Sequence, residues 1–156
     1  MIPDIRTSMG SPPASMVQKR VLIIDDVAII RAYVKAALKD DTLDVVEAAS
    51  GQQALDALAI APVDLILCDV NMPGMNGHDF VVRLRHEGNR TPLIMLTAEG
   101  DRDIIGKLIQ LGIQGYILKP FKPAVLLARV REQLFGADER SARDPPPQTP
   151  PTARGD

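Results

Sequence analysis

Between residues 20 and 135 the chain alternates a short apolar run with a segment of helical spacing, five times in succession. The apolar runs are RVLIID (20–25), LDVVEAA (43–49), VDLILCD (63–69), PLIMLT (92–97) and GYILK (115–119). Their length and β-branched content predict strands. The intervening segments space their apolar residues as helices do, as in VAIIRAYVKAAL (27–38) and DRDIIGKLIQL (101–111). Ser50 followed by Gln53 is a capping-box pattern opening GQQALDALAI. Asn76 is placed to cap a helix over GHDFVVRLRHE, with Gly88 as its stop, and Gly112 closes the fourth helix. Pro123 stands at the first position of the last helix, PAVLLARVREQLF. Strands alternating with helices predict an α/β fold with a parallel sheet. The strands are continuously apolar, which predicts helices on both sheet faces, hence three layers, α-β-α.

The flanks have a different composition. Eight of the 13 prolines lie outside residues 20–135. Residues 1–19 and the Pro-rich segment 136–156 lack apolar periodicity, and both are expected to be disordered around one domain at 20–135. Nothing after residue 135 has the length or pattern of an output domain. With 18 Lys+Arg against 20 Asp+Glu the net charge is −2, so no nucleic-acid partner is expected. No apolar run approaches the roughly 20 residues of a membrane span, so no membrane partner is expected either. The single cysteine, Cys68, rules out an internal disulfide and fits a reducing, cytoplasmic location.

The polar residues at the strand ends are the informative ones. Asp25 and Asp26 end or follow the first strand, Asp69 the third, Thr97 the fourth and Lys119 the fifth. Open α/β sheets bind ligands outside the carboxyl ends of their strands. If strands one and three are neighbours, the three carboxylates converge there, and they then repel unless a proton or a cation relieves them. A hard divalent ion with oxygen ligands suits them, Mg²⁺ first and Mn²⁺ as a substitute. With a mobile ammonium and a hydroxyl donor beside a carboxylate nucleophile, the set has the parts that phosphoryl transfer requires.

Asp25-Asp26, Asp69 with Asn71-Met72-Pro73-Gly74 and Gly77, Thr97-Ala98, and Lys119-Pro120-Phe121 follow one another in order, each at a strand end. In this respect residues 20–135 resemble a response-regulator receiver domain of the CheY type. The resemblance implies a flavodoxin-like (βα)5 fold with strand order 2-1-3-4-5. It implies that Asp69 is the phosphoacceptor in two-component signalling, that Asp26 ligates Mg²⁺ directly and Asp25 through water, and that the backbone carbonyl of Asn71 is a further ligand. Lys119 would pair with Asp69 and later with its phosphoryl group. Thr97 would bond a phosphoryl oxygen, and Tyr116 would be an aromatic switch. Asn71 and Glu99 occupy the positions that tune the phosphoryl lifetime. The donor would be a sensor histidine kinase or a histidine phosphotransfer protein. The chain would not be an enzyme beyond catalysing its own phosphorylation and dephosphorylation.

The readout would use helix four, strand five and helix five, toward a downstream protein target or a second copy, as a monomer or a phosphorylation-promoted dimer. On helix four, Ile104, Leu108 and Leu111 share a face expected to pack on the sheet. Ile105 and Ile109 form an i, i+4 pair on its flank, expected to complete a docking patch with Tyr116. The alternatives are a phosphorelay shuttle and a phosphorylation-independent adaptor on the same fold. A Mg²⁺-dependent aspartyl phosphatase fits less well, because Asp69-Val70-Asn71 lacks a second carboxylate.

Overall fold

The computed structural model describes residues 18–98 and 100–136. The segments expected to be disordered lie almost wholly outside the described residues, as does Glu99. The elements alternate strictly. They are β1 (Lys19–Ile24), α1 (Ala28–Ala37), β2 (Leu43–Ala48), α2 (Gly51–Ile60), β3 (Leu65–Asp69), α3 (Gly77–His86), β4 (Leu93–Thr97), α4 (Arg102–Gln110), β5 (Gly115–Leu118) and α5 (Pro123–Phe135). All strands are parallel, in the order β2-β1-β3-β4-β5.

Successive residues of each strand serve opposite layers, as a period of two requires. Val21 and Ile23 of β1, Leu65 and Leu67 of β3, and Ile94 and Leu96 of β4 pack with Val34 of α1 and Leu126 and Val130 of α5. Leu22, Ile24, Ile66, Cys68, Leu93 and Met95 pack with Ala54 of α2, Phe80, Val81 and Leu84 of α3, and Ile105 and Leu108 of α4. Cys68 is fully buried and acts as a small hydrophobe; burial pushes its thiol up, with Asp69 and Asp25 adding to the shift.

The start and stop signals act as read. The Asn76 side chain accepts from the Asp79 N–H at 2.8 Å, and Asp79 accepts from the Asn76 N–H in return, a reciprocal capping box. At α2 the Ser50 hydroxyl accepts from the Gln53 N–H, but the Gln53 side chain reaches the Ala49 N–H instead of that of Ser50. Gly88 and Gly112 take φ of +85° and +86° just past their helices. Pro123 opens α5.

One packing expectation is corrected. Ile105 is 8% exposed and belongs to the core, whereas Ile109 is 55% exposed. The sheet-facing stripe of α4 runs through fully buried Leu108 and buried Ile105, while Ile104 is only partly buried. At about 100° per residue, Ile104 lies about 40° to one side of Leu108 and Ile105 about 60° to the other, with Ile109 about 100° away on that side, so the burial of Ile105 and not Ile104 puts the middle of the stripe between Leu108 and Ile105. Ile105 is therefore not part of a docking patch.

Candidate functional site

The register carries the strand ends to one level. Ile24 pairs with Cys68, Asp69 with Leu96, and Thr97 with Leu118. The residues that follow are held there by the backbone. The Asp25 N–H bonds the Ala48 carbonyl at 3.2 Å, and the Lys119 N–H bonds that of Thr97 at 2.7 Å. Asp25, Asp69, Thr97 and Lys119 thus meet on the carboxyl edge of the sheet.

Carboxylate oxygens of Asp25, Asp26 and Asp69 lie within 4.8 Å of one another. Asp25 is fully buried, Asp69 nearly so, and Asp26 is exposed. The Asp25 Oδ1 accepts from the Val27 N–H at 2.9 Å, an Asx-type turn that fixes the side chain. Arg31, itself paired with Glu47, holds the Asp25 carbonyl at 2.6 Å. The Asp25 Oδ2 is buried without a hydrogen-bond partner. Burial, and then the charges of Asp69 and Asp26, push the Asp25 carboxyl up, against the opposing pull of the Val27 N–H and Lys119. An orphaned buried oxygen in an all-oxygen acidic cluster fits a hard divalent cation, which would supply the missing partner.

Lys119 Nζ donates to Asp69 Oδ1 at 2.8 Å and stands 3.7 Å from Asp25 Oδ2. The Lys119–Pro120 peptide bond is cis. Beyond it, the Phe121 carbonyl accepts from the Tyr33 hydroxyl at 2.7 Å, and the two rings meet edge to face. The lysine loop is thereby tied to α1.

Thr97 is 1% exposed, and its hydroxyl donates to Asp101 Oδ2 at 2.9 Å. In the sequence Asp101 stands only as the first residue of a helical segment. In the structure it is the N-cap residue of α4, but its side chain makes no cap bond and instead accepts from Thr97, the Ala98 N–H and the Asn71 side chain. Burial raises the Asp101 carboxyl, but these hydrogen bonds and the Lys119 charge outweigh it and hold the group low. An acid four residues after Thr97 was the available signal, but sequence spacing does not show that its side chain turns backward.

Gly77 is the other residue that shapes the site. Its N–H bonds the Val70 carbonyl at 2.8 Å, bringing the start of α3 against the strand end that carries Asp69. A Cβ there would collide with the Asp69 carbonyl and stand 2.8 Å from Val70 Cα. Tyr116 and Leu118 are 37% and 50% exposed on β5, with Ile117 buried between them. Tyr116 pairs with Met95, a residue of the α4-side core, so the ring leans over the α4 side of the sheet edge.

A doubly wound sheet bearing an acidic cluster, a buried threonine and a lysine at its carboxyl edge defines a class of signalling domain. Residues 21–131 match the response regulator receiver domain family, and the chain belongs to it. It is similar to the DNA-binding response regulator MtrA of Mycobacterium tuberculosis, 37% identical over 80% of this chain and 54% of that protein. It is also similar to the Regulator of RpoS of Escherichia coli, 33% identical over 77% of this chain and 35% of that one. Among solved structures, the chemotaxis response regulator CheY4 of Vibrio cholerae superposes with a TM-score of 0.70 at 36% identity, over 76% of this chain and all of that one. The chain spans about half the length of the MtrA relatives or less of the other.

These relatives overturn the expectation of no nucleic-acid partner. MtrA is a DNA-binding response regulator, and another relative, ycf27 of Porphyridium aerugineum, is a probable transcriptional regulator. The charge of a receiver reports on its own surface, and carries no information on whether the regulator it serves acts at DNA. Among the described residues no helix is long and apolar enough to cross a membrane.

Proposed function

We propose that Asp69 accepts a phosphoryl group from the phosphohistidine of a sensor histidine kinase or a histidine phosphotransfer protein, and that this switches partner binding. The observation that carries the proposal is Lys119 Nζ, 2.8 Å from Asp69 Oδ1, beside the orphaned Asp25 Oδ2. A carboxylate oxygen of Asp69 attacks phosphorus in line. The P–N bond breaks, and its electron pair stays with the donor imidazole. Lys119, 2.8 Å from Asp69 Oδ1, orients the carboxylate before transfer, and then follows the charge onto the phosphoryl oxygens. Asp25, Asp26, Asp69 and the Asn71 carbonyl would hold Mg²⁺, with Mn²⁺ as a substitute. When bound, the ion neutralises charge on the transferring group. Thr97 turns its hydroxyl toward the phosphoryl group, and Tyr116 follows inward. Asn71 and Glu99 set the lifetime of the phosphoryl group.

The output surface is the α4-β5-α5 side, with Ile109, Tyr116 and Leu118 as its apolar contacts, all exposed in the resting chain. Its occupant is a downstream regulator or a second copy. We place the exchange in the cytoplasm, where the unpaired Cys68 stays reduced. The test is addition of Mg²⁺ with beryllofluoride, read by amide NMR shifts, with Asp69→Asn as control. Shifts at the strand ends that Asp69→Asn abolishes are expected. No Mg²⁺-dependent change in the unaltered protein would sink the reading.

A further inference from the structure

We propose that Asp101 is a resting-state latch on Thr97, a positioning residue that must release the hydroxyl before the phosphorylated conformation can form. The proposal rests on Asp69 being the phosphoacceptor.

Three donors converge on one oxygen. Asp101 Oδ2 accepts from Thr97 Oγ1 at 2.9 Å, from the Ala98 N–H at 3.0 Å and from Asn71 Nδ2 at 3.2 Å. An acid before a helix ordinarily accepts from that helix's own first N–H groups. Asp101 makes no such bond and faces back across the loop instead. It therefore ties the end of β4 to the residue two places after Asp69.

The Thr97 hydroxyl has a single hydrogen. Asp101 Oδ2 at 2.9 Å is its nearer acceptor and the Ala98 carbonyl at 3.3 Å the weaker one, and a hydrogen donated to either is not available to an oxygen on Asp69. Bonds to an ionised acceptor are also the stronger kind, so the resting arrangement is not lost without compensation. A phosphoryl group brings further negative charge to Asp69. The Asp101 carboxylate, joined to the same loop through Asn71, opposes that charge. Hydroxyl competition and repulsion thus both favour the resting conformation. A ligand that selects the other conformation must overcome that bias, and removing the latch removes it.

The experiment compares beryllofluoride affinity at fixed Mg²⁺ in the full chain, with Asp101→Ala and Asp101→Asn, each also made in a Thr97→Val background. Asp101→Ala is expected to tighten binding about tenfold. Asp101→Asn, which keeps an acceptor oxygen but loses the charge, should fall between it and the unaltered protein. In the Thr97→Val background the gain from Asp101→Ala should be clearly smaller, because no hydroxyl remains to be released and only the repulsion of the Asp101 charge is relieved. Equal or weaker binding by Asp101→Ala overturns the latch, and so does an undiminished gain in the Thr97→Val background. If Asp101→Ala does not fold, Asp101→Asn carries the same comparison. Failure of the unaltered protein to bind beryllofluoride removes the phosphoacceptor reading and the latch together. Binding by the unaltered protein with no effect of the substitutions removes the latch alone.

Discussion

Asp25 is a buried carboxylate whose second oxygen has no hydrogen-bond partner, with Lys119 3.7 Å away and two other acids beside it. Such a group weakens the metal-free fold. Asp25→Asn is expected to raise the stability of the protein in chelator by about 1 kcal/mol, and to abolish the stabilisation that Mg²⁺ gives the unaltered chain. Urea denaturation with and without Mg²⁺ reads both effects. A variant that is less stable in chelator would show the carboxylate to be well accommodated without an ion. Gly77 is constrained by space, since a Cβ would meet the Asp69 carbonyl and Val70 Cα. Gly77→Ala should cost about 1–3 kcal/mol, the usual penalty of overpacking, and displace the amide resonances of Asp69 and Val70. Unchanged stability would mean that the start of α3 moves away freely.

At the scale of elements, α3 is anchored at both ends. Asn76 caps its start, and Asn76→Ala should lose about 1 kcal/mol. At the other end Arg85 donates to the carbonyls of Asn89, Thr91, Leu111 and Gly112, each at 3.0–3.1 Å. One guanidinium therefore joins the ends of α3 and α4 to the loop entering β4. Arg85→Met keeps the aliphatic stem and should lose about 2 kcal/mol by stranding carbonyls. Arg85→Lys should not restore it, because an ammonium cannot span the same fork of acceptors. Full recovery with lysine in a urea titration would count against this account. These caps and stops were legible beforehand, since Asn76, Gly88, Gly112 and Pro123 act through local backbone chemistry. The α4 stripe was misplaced because periodicity gives the width of an apolar arc, whereas the neighbouring Phe80 layer and the sheet decide where its centre points. Ile105 and Ile109 therefore part company although they sit on one row.

Across the whole molecule, Asp40 couples the turn after α1 to α5. It accepts from the Thr42 hydroxyl and N–H and pairs with Arg131 at 3.3 Å. The Thr42 hydrogen bonds, first, and then Arg131 hold its carboxyl below the ordinary value, outweighing burial. A depressed folded value means that the contribution is present above the unfolded value of about 4, and is lost as pH falls through the folded one. Thermal stability should therefore drop as pH goes from about 5 to about 3, and Asp40→Asn should flatten part of that drop. An unchanged pH slope in Asp40→Asn would exclude the coupling. By itself the sequence determined the βα alternation, the burial of continuous strands on both faces, and the placing of Asp25, Asp26, Asp69, Thr97 and Lys119 at strand ends on one edge. These follow from local periodicity, and from the rule that a parallel sheet presents every strand end on the same side. That strands one and three are neighbours, so that the carboxylates meet, was implied only by the family resemblance. The tertiary structure alone decided that Asp25 Oδ2 is orphaned, that Ile105 is core, and that Asp101 turns back onto Thr97. Each of those depends on the direction of a side chain among residues distant in sequence, which no spacing along the chain encodes.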